Sequence, residues 1–417
     1  MVTTSASRLR SMISGVFGNL LEWYDFTVYG FFAIEIGKEL LGSDQDGGTL
    51  EALAIFAIGF MARPFGGALL GSIADRFGRR KALILSVLGI IIPTFLIAIL
   101  PTHDQIGMLA GILLLSFRLI QGIAIGGEFT GSMVFLSELA SRGHRGFATG
   151  CSVATAMAGI LLGSLVYTLL SSLMDPEMLG IWGWRIGFAF GAVLGLVSLF
   201  LLYTADETQD FVEEAANETP IRECIREHGR TILRSIMFLA LPAAWCYAVT
   251  IFVVVLLHHR LGADAVFAGT MGSIAAAIPI LMTPMVGALS DRVGRRPIMY
   301  AGSIAALLLG VPILALVDNA ATGIVVVTVI VGGLVLSLMQ GGTAVALVEQ
   351  FPERVRATGT GISYNLTYAI AGGTQPLLAL WLVDVTGSDL APGGILVLLA
   401  IVSLVGVRLC RETAFDT

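Results

Sequence analysis

The sequence predicts an all-α polytopic membrane protein in which twelve transmembrane helices form two pseudo-symmetric six-helix bundles. Three observations support this: the composition, a series of apolar segments of membrane-spanning length, and a repeat between the two halves of the chain. Of the 417 residues, 56% are hydrophobic and 13% are charged, whereas a soluble domain is about 45–50% apolar and about 25% charged. This composition excludes a soluble enzyme, a nucleic-acid-binding protein and a secreted disulfide scaffold.

Twelve apolar segments, called spans 1–12, are long enough to cross a bilayer as helices. Only helices and closed barrels satisfy all backbone hydrogen bonds within lipid, and these segments are too long for barrel strands. In chain order the spans cover 13–34, 50–74, 82–100, 106–137, 147–173, 185–204, 233–257, 266–289, 298–317, 320–347, 358–384 and 393–408.

The basic residues predict the orientation of these spans. With both termini in the cytoplasm, nineteen of the 24 Lys and Arg residues fall in the tails or in cytoplasmic loops. Lys38, Arg185 and Arg260 lie at the outer face in this arrangement, and Arg63 and Arg118 lie within spans. Because cytoplasmic loops carry an excess of Lys and Arg, we expect a multi-pass membrane protein with both termini in the cytoplasm. The expected location is the plasma membrane, as a bacterial inner-membrane protein.

The longest polar stretch divides the chain into three parts. We expect an N-terminal six-helix bundle over 1–204, a cytoplasmic linker over 205–232 and a C-terminal six-helix bundle over 233–417. Within the linker, Thr219 and Pro220 have the pattern of a helix start, and Gly229 that of a helix stop. A short helix on the membrane surface is therefore predicted, and a solvated tether is the alternative.

The two halves repeat the same charged motifs. The segment 71–80 reads Gly-Ser-Ile-Ala-Asp-Arg-Phe-Gly-Arg-Arg, and 287–296 reads Gly-Ala-Leu-Ser-Asp-Arg-Val-Gly-Arg-Arg, 216 residues later. A second pair of motifs repeats with an offset of 211, Glu138 and Arg145 corresponding to Glu349 and Arg356. Two six-helix halves in parallel repeat are what a rocking transporter requires. The repeat therefore favours a transporter over a membrane receptor or a channel.

Further motifs narrow the family. They are Gly18-Asn19-Leu-Leu-Glu22-Trp23-Tyr24-Asp25-Phe26 in span 1, Arg63-Pro64-Phe-Gly66-Gly67 in span 2, Arg118-Leu-Ile-Gln121-Gly122 and Gly126-Gly127-Glu128 in span 4, and Trp182-Gly183-Trp184-Arg185 before span 6. Together with the repeated loops, these motifs resemble the metabolite:proton symporter family of the major facilitator superfamily. Members of that family carry citrate, 2-oxoglutarate, shikimate, or proline and betaine. The resemblance implies the major facilitator fold and a transporter that is not an enzyme.

Ionisable residues inside the spans are confined to the N-terminal half: Glu22, Asp25, Arg63, Arg118 and Glu128. Each is unfavourable in lipid by about 2.5–3.5 kcal/mol, so we expect them to pair with one another around a wet cavity. Arg63 and Arg118 are expected to hold a substrate carboxylate, because a guanidinium offers two parallel donors. The alternative is that each arginine locks a neighbouring helix through an acid.

Other polar residues are expected to complete the substrate site. They are Asn19, Tyr24 and Gln121 in the N-terminal half, and Tyr247, Tyr364, Asn365 and Tyr368 in the C-terminal half. For the second group, hydrogen bonding between helices is the alternative.

Glu22, Asp25 and Glu128 are the expected proton-coupling residues. With two arginines they sum to one negative charge, and an anionic substrate would add another. Protonation of an acid relieves this repulsion, so substrate and proton would favour each other's binding. A fixed ion pair with arginine is the alternative for each acid, and for Glu128 a structural role is favoured.

The predicted function is import of a small carboxylate-bearing metabolite by proton symport through alternating access. One alternative is sodium symport, with Asn19, Glu22 or Asp25 as ligands, and another is export by proton antiport. No ATPase motif and no metal-ligand spacing occurs in the sequence. We therefore expect no cofactor beyond the coupling ion, H⁺ or alternatively Na⁺, and no metal or catalytic residue. The expected partners are a small-molecule substrate and membrane lipid, without nucleic acid, and the protein is expected to be a monomer.

By the resemblance, the repeated loops are expected to act as a conformational gate whose contacts exist in one of the two access states. The predicted gate residues are Asp75, Arg79, Glu138, Arg145, Asp291, Arg295, Glu349 and Arg356. Lipid-headgroup binding by the arginines is compatible with this role.

Overall fold

The computed structural model describes residues 5–42, 47–77, 79–204, 220–318 and 321–415. Within those ranges the chain is helical and contains no strand. The helices correspond one to one with the twelve predicted spans. Ten of the described helical segments are long and apolar enough to cross a membrane, and Ile84–Ala98 in span 3 is a shorter apolar helix. The predicted fold class is confirmed.

The helices of the N-terminal half are Ser5–Phe31 with its extension Ala33–Leu41 (span 1), Gly47–Phe77 (span 2), Arg79–Ala98 (span 3), Leu109–Ile125 and Glu128–Leu139 (span 4), Arg145–Leu173 (span 5) and Trp184–Thr204 (span 6). Those of the C-terminal half are Pro220–Tyr247 continued to Arg260 (span 7), Ala265–Val293 (span 8), Arg295–Asp318 (span 9), Thr322–Glu349 (span 10), Arg356–Thr367 and Gln375–Thr386 (span 11) and Ala391–Leu409 (span 12). Short helical turns at His103–Ile106, Arg142–His144, Pro176–Met178, Leu179–Gly183 and Glu353–Val355 connect them.

Three spans are interrupted near the middle of the molecule. Gly126 and Gly127 break span 4, because glycine has the least intrinsic preference for helix apart from proline. Wider π-helical turns interrupt span 7 at Ala248–Phe252 and span 11 at Tyr368–Gly372. Such turns free backbone groups and occur frequently at functional sites. All three interruptions face the region where the two halves meet.

Spans 5 and 8 form the most extensive contact between the halves. At one end of this contact, Gly146 and Gly287 approach so closely that a Cβ on either would overlap the carbonyl oxygen of the other. At the opposite end, the Ser164 hydroxyl donates to the carbonyl oxygen of Gly269 at 2.8 Å. The halves are therefore in contact at both ends of the molecule.

The start of span 7 differs from the prediction. The helix that begins at Pro220 does not end at Gly229 but runs on to Tyr247, so the predicted short surface helix is the first part of span 7. A glycine inside a helix is unfavourable by about 1 kcal/mol relative to alanine. Here the flanking Arg, Glu and Leu residues favour helix and outweigh that effect. Thr219 and the rest of 205–219 lie outside the described residues.

Candidate substrate and proton site

A cavity of about 20 Å³ lies between the two halves. Its wall includes Trp23, Phe129, Gln340, Thr343, Tyr364 and Tyr368. This volume holds about one water molecule. The halves are thus closed around a space that is smaller than any metabolite, and a substrate could enter only after they separate.

Aromatic rings dominate the wall of this cavity. The Tyr364 and Tyr368 rings stack at 4.0 Å, and Trp23 meets Tyr368 edge to face at 6.0 Å. Phe129 packs against Tyr364 at 4.9 Å. No lysine or arginine is among the residues that line the cavity in the described part of the chain. Ring faces attract cations, so the wall suits a positively charged group better than a second carboxylate.

Arg63 and Glu22 form an ion pair beside the cavity. Nη2 of Arg63 donates to Oε1 of Glu22 at 2.5 Å, and both side chains are buried. The guanidinium carbon lies 5.8 Å from the Trp23 ring and 5.1 Å from the Phe60 ring. Phe60 in turn contacts Tyr247 of the C-terminal half at 5.4 Å. One layer of rings therefore separates this pair from the other half, and Nε of Arg63 has no partner among the described residues.

Arg118 and Asp25 form a second ion pair, which lies inside the N-terminal half. Nη1 of Arg118 donates to Asp25 at 2.7 Å and to Oε1 of Gln121 at 2.7 Å. Gln121 and Thr94 both donate to Asp25, at 3.0 and 2.6 Å. The ring of Tyr29 covers the guanidinium at 4.0 Å. These contacts join spans 1, 3 and 4, and neither member of the pair lines the cavity.

Glu128 is the third predicted acid, and its side chain reaches from span 4 to spans 1 and 3. Its side chain is 5% exposed. Its described hydrogen-bonding neighbour is the Ser86 hydroxyl, 3.4 Å from Oε2. Oε1 lies against Gly18 of span 1, where a Cβ would overlap it. Glu128 has no ion pair with any basic side chain that the structure describes.

The other predicted substrate residues of the N-terminal half hold helices together, whereas those of the C-terminal half lie at or near the cavity. In the N-terminal half, Asn19 donates to Thr155 at 2.7 Å, and the Tyr24 hydroxyl donates to the carbonyl of Gly187 at 2.7 Å. These contacts hold span 1 to spans 5 and 6, away from the cavity wall.

In the C-terminal half, Tyr364 and Tyr368 line the cavity, and Tyr247 stacks on Trp23 at 6.4 Å behind it. Asn365 donates to the carbonyl of Gly126 at 2.6 Å, across the halves. That carbonyl belongs to the break in span 4, so a side chain of span 11 satisfies a backbone group at the interruption.

Several of the predicted gate residues meet at the predicted cytoplasmic end. The carboxylate of Asp291 accepts hydrogen bonds from the backbone N–H groups of Gly146 and Phe147, at 2.8 and 3.1 Å. These groups begin the span 5 helix, whose N-terminal dipole favours a negative charge. Arg295 donates to Asp291 at 2.6 Å and to both carboxylate oxygens of Glu349 at 3.1 Å. Asp291 thus joins the two halves, and Arg295 holds it in place.

Two ion pairs cross the halves at the same end. Arg356 and Glu138 are 3.2 Å apart, and Arg145 and Glu349 are 4.0 Å apart. They are related by the internal repeat, because each joins an arginine of one half to the glutamate of the other half's motif. The predicted gate side chains of Asp75 and Arg79 lie outside the described part of the structure.

The segment after span 12 contacts this charged cluster. Glu412 accepts hydrogen bonds from the backbone N–H groups of Arg295 and Arg296, both at 2.9 Å, and Thr413 donates to Glu349 at 2.5 Å. Burial raises the pKa of Glu412, but the backbone N–H donors lower it by more, so the pKa lies below the usual value for glutamate. The carboxylate of Glu412, in its charged form, therefore caps the start of span 9.

Sequence reasoning missed several residues of the cavity wall. Phe129, Met133, Met157 and Thr343 line it but are neither charged nor part of a distinctive polar motif. Trp23 also lines the cavity. Its position between Glu22 and Tyr24 in the span 1 motif is the one feature of the sequence that indicates this role. Apolar wall residues are recognised only when tertiary packing brings them together.

One group of described residues could hold a metal ion by proximity. Ligand atoms of Glu223, Glu227 and His228 lie within 4.8 Å of one another at the start of span 7. Both glutamates have other partners, so this proximity alone does not indicate a metal site.

Two six-helix bundles closed around a central cavity are the architecture of a secondary transporter. The chain belongs to the Major Facilitator Superfamily, whose family model matches residues 15–376 and 236–413. Its relatives are transporters of the metabolite symporter type, as the motifs of spans 1, 2 and 4 predict, and the protein is a multi-pass membrane transporter and not an enzyme.

Three relatives illustrate the range of that family. The chain is 35% identical to the alpha-ketoglutarate permease of Escherichia coli over 99% of this chain and 96% of that protein. It is 32% identical to the proline/betaine transporter of Salmonella typhimurium over 98% of this chain and 84% of that protein. It is 29% identical to the citrate-proton symporter of Klebsiella pneumoniae over 94% of this chain and 89% of that protein. Among solved structures, a partially occluded, inward-open xylose transporter XylE from E. coli superposes with a TM-score of 0.74, 19% identity and coverage of 99% and 100%, which shows a common fold.

Proposed function

We propose that this transporter imports a small carboxylate-bearing metabolite, an organic acid or a zwitterion, by proton symport through alternating access. The observation that carries the proposal is the buried pair of Arg63 and Glu22, separated by Trp23 from the cavity between the halves. The relatives named for alpha-ketoglutarate, citrate, proline and betaine support it, because each of those molecules bears a carboxylate.

In this mechanism a substrate carboxylate competes with Glu22 for Arg63. The guanidinium can present two parallel donors to a carboxylate, and Nε of Arg63 has no partner among the described residues. When the substrate takes the guanidinium, the acids nearby lose their counter-charge in a low-dielectric site. Binding a proton restores the balance, so each of the two cargoes strengthens the binding of the other.

The proposed roles of the remaining residues follow from their contacts. Tyr364 and Tyr368 would contact the substrate from the C-terminal half, and Tyr247 and Asn365 would reach it once the halves separate. Arg118 and its partner Asp25 would support the site from behind. The same supporting role is proposed for Asn19, Tyr24 and Gln121.

The aromatic wall favours a zwitterion over a polycarboxylate within this class. The described lining contains Trp23, Phe129, Tyr364 and Tyr368 but no basic residue. A substituted ammonium group is attracted by ring faces, with about 0.5–2 kcal/mol per contact. A second or third carboxylate would meet no counter-charge there. A compound with one carboxylate and one ammonium group fits both the arginine and the rings.

We further propose that the protein works as a monomer in a bacterial inner membrane, with both termini in the cytoplasm. The excess of basic residues in the loops at the end that carries Glu138, Arg145, Asp291 and Arg295 supports this orientation. The cross-half contacts of those residues would then close the cytoplasmic side, and their release would open it.

Uptake by the purified protein in liposomes tests the proposal. Labelled dicarboxylates, tricarboxylates, shikimate, proline and betaines are offered under an imposed pH gradient or an imposed sodium gradient. We expect one group of substrates to accumulate when the outside is acidic. Arg63→Gln should lose this accumulation, and the control Arg222→Gln, at an exposed arginine outside the gate loops, should keep it. Stimulation by sodium alone would instead establish sodium symport, and efflux driven by inward proton flow would establish an exporter.

A further inference from the structure

Glu128 differs in its partners from Glu22 and Asp25, the other two acids that are predicted to couple the proton. Glu22 has Arg63 at 2.5 Å and Asp25 has Arg118 at 2.7 Å. Glu128 is also buried, at 5% exposed, but forms no ion pair with a basic side chain in the described part of the chain. An unpaired ionised carboxylate inside the membrane is far less favourable than a protonated one.

Among the described side chains of spans 1, 3 and 4, none offers Glu128 a compensating charge. Span 3 contributes Ser86 from a segment, Ile84–Ala98, without charged residues. Span 1 contributes Gly18, and one turn further along the same face it carries Glu22, another acid, whose arginine is already engaged. On span 4 itself, Arg118 lies ten residues before Glu128, but it is paired with Asp25. The acid on the facing turn of span 1 is thus already paired with its own arginine, and no described arginine or lysine is left to stabilise an ionised Glu128.

The hydrogen bonds around Ser86 agree with a protonated acid. The hydroxyl of Ser86 has one hydrogen, and at 2.6 Å the carbonyl oxygen of Ala124 is the better acceptor for it. The second contact of the hydroxyl, to Glu128 Oε2 at 3.4 Å, is longer than an ordinary O–H···O hydrogen bond, so Ser86 gives little stabilisation to a negative charge on Glu128. Gly18, at which any side chain would overlap Oε1, leaves just enough room for the carboxyl group.

We propose that Glu128 is the residue that binds the transported proton, an inference that rests on the proposed proton symport. A proton from water on one side of the membrane adds to a carboxylate oxygen of Glu128 and later leaves to water on the other side. No other bond forms or breaks. When a substrate carboxylate takes Arg63, Glu22 loses its counter-charge, and a Glu128 that keeps its proton spares the site a second unpaired negative charge.

The test uses the full-length protein in liposomes and a substrate that the wild type accumulates under a pH gradient. Glu128→Gln keeps the shape and neutrality of the protonated acid. We expect it to exchange labelled for unlabelled substrate at a rate that no longer depends on pH, and to lose accumulation driven by the pH gradient. Glu128→Asp, which keeps an ionisable group, is expected to restore a pH dependence with a shifted midpoint.

Two matched variants give the comparison. Glu51→Gln changes an exposed acid of span 2, and Glu35→Gln changes a buried acid, 7% exposed, that has Lys38 on the same helix. Both are expected to retain accumulation. The inference is overturned if Glu128→Gln accumulates substrate as well as the wild type does. It is also overturned if Glu35→Gln loses accumulation while Glu128→Gln keeps it.

If Glu128→Gln does not insert into the membrane, the inference is tested with Glu128→Asp instead. A pH profile of transport by Glu128→Asp that is identical to the wild-type profile also overturns the inference. A wild type that shows no pH-driven uptake of any substrate would refute the proposed function itself, which is a different result.

Discussion

Arg118 belongs to a buried polar network of the N-terminal half, in which its Nη1 has two partners while its Nε and Nη2 have none among the described residues. It pairs with Asp25 at 2.7 Å, while Gln121 and Thr94 hydrogen-bond the same acid. The pair is buried, and its contacts connect three spans. We infer that its main contribution is to the stability of the N-terminal bundle.

We therefore predict that Arg118→Gln destabilises the protein, because it leaves Asp25 buried without its counter-charge. Removing one partner of a buried pair typically lowers the free energy of unfolding by about 3–5 kcal/mol. The double variant Arg118→Gln with Asp25→Asn is expected to recover much of that loss. Thermal unfolding in detergent measures both. Equal stability of Arg118→Gln and the wild type, with loss of substrate binding alone, would show instead that Arg118 is a substrate ligand.

The sequence predicts that buried charges exist in the N-terminal half, because their positions within apolar spans can be read directly. It leaves open which acid faces which arginine. That depends on how spans 1, 2 and 4 rotate against one another, which is a property of tertiary packing. For this reason Arg63 and Arg118 look equivalent in the sequence, whereas in the structure only Arg63 lies next to the rings that meet the C-terminal half.

At the scale of the helices, the close approach of spans 5 and 8 depends on two glycines. A Cβ on Gly146 would overlap the carbonyl oxygen of Gly287. We predict that Gly146→Val disfavours the closed arrangement at the predicted cytoplasmic end and lengthens the distance between spin labels at Ser141 and Arg292. The control is Gly131→Val, since a Cβ at that glycine meets no atom within 4 Å. An unchanged distance in Gly146→Val, or an equal change in both variants, would contradict this.

The residues after span 12 give a prediction about pH. Glu412 has a pKa below its usual value when the protein is folded, because the backbone N–H groups of Arg295 and Arg296 outweigh the effect of burial. Its stabilising contribution is then fully present above the pKa of unfolded glutamate, about 4.3, and is lost as the pH falls through the lower folded value.

We expect Glu412→Gln to lower the unfolding temperature near neutral pH, and the difference from the wild type to shrink as the solution is acidified below about pH 4.3. Glu353→Gln, at an acid whose side chain is 84% exposed, is the control and should have little effect at any pH. A difference that stays constant on acidification would show that Glu412 does not act through its charge.

Several elements are predictable because their signals are local. The repeated motifs single out Asp291, Arg295, Glu349 and Arg356 by their spacing along the chain, and the described residues among the motif positions do come together. The helix that starts at Pro220 shows the limit of such signals. Gly229 has the pattern of a stop, but continuity with span 7 overrides the weak intrinsic preference of one residue.

For the whole molecule, the contacts between the halves decide which access state is populated. Glu138 pairs with Arg356 across the halves at 3.2 Å, and the glutamate is 41% exposed, so the pair contributes about 0.2–1 kcal/mol. We predict that Glu138→Arg shifts the balance toward the state open at the predicted cytoplasmic end. The double variant with Arg356→Glu should shift it back. Distances between labels on the two halves measure this, and a double variant as open as the single one would show that the pair does not set the balance.

The coupling of substrate to proton is tested most directly by measuring proton movement itself. Wild-type protein is reconstituted in liposomes that contain a pH-sensitive dye, with equal pH and equal sodium on both sides. Addition of a transported substrate outside should acidify the interior, because each substrate enters with a proton, and Glu128→Gln should abolish the acidification while substrate exchange continues. Substrate entry without acidification, or with sodium entry in its place, would contradict proton symport.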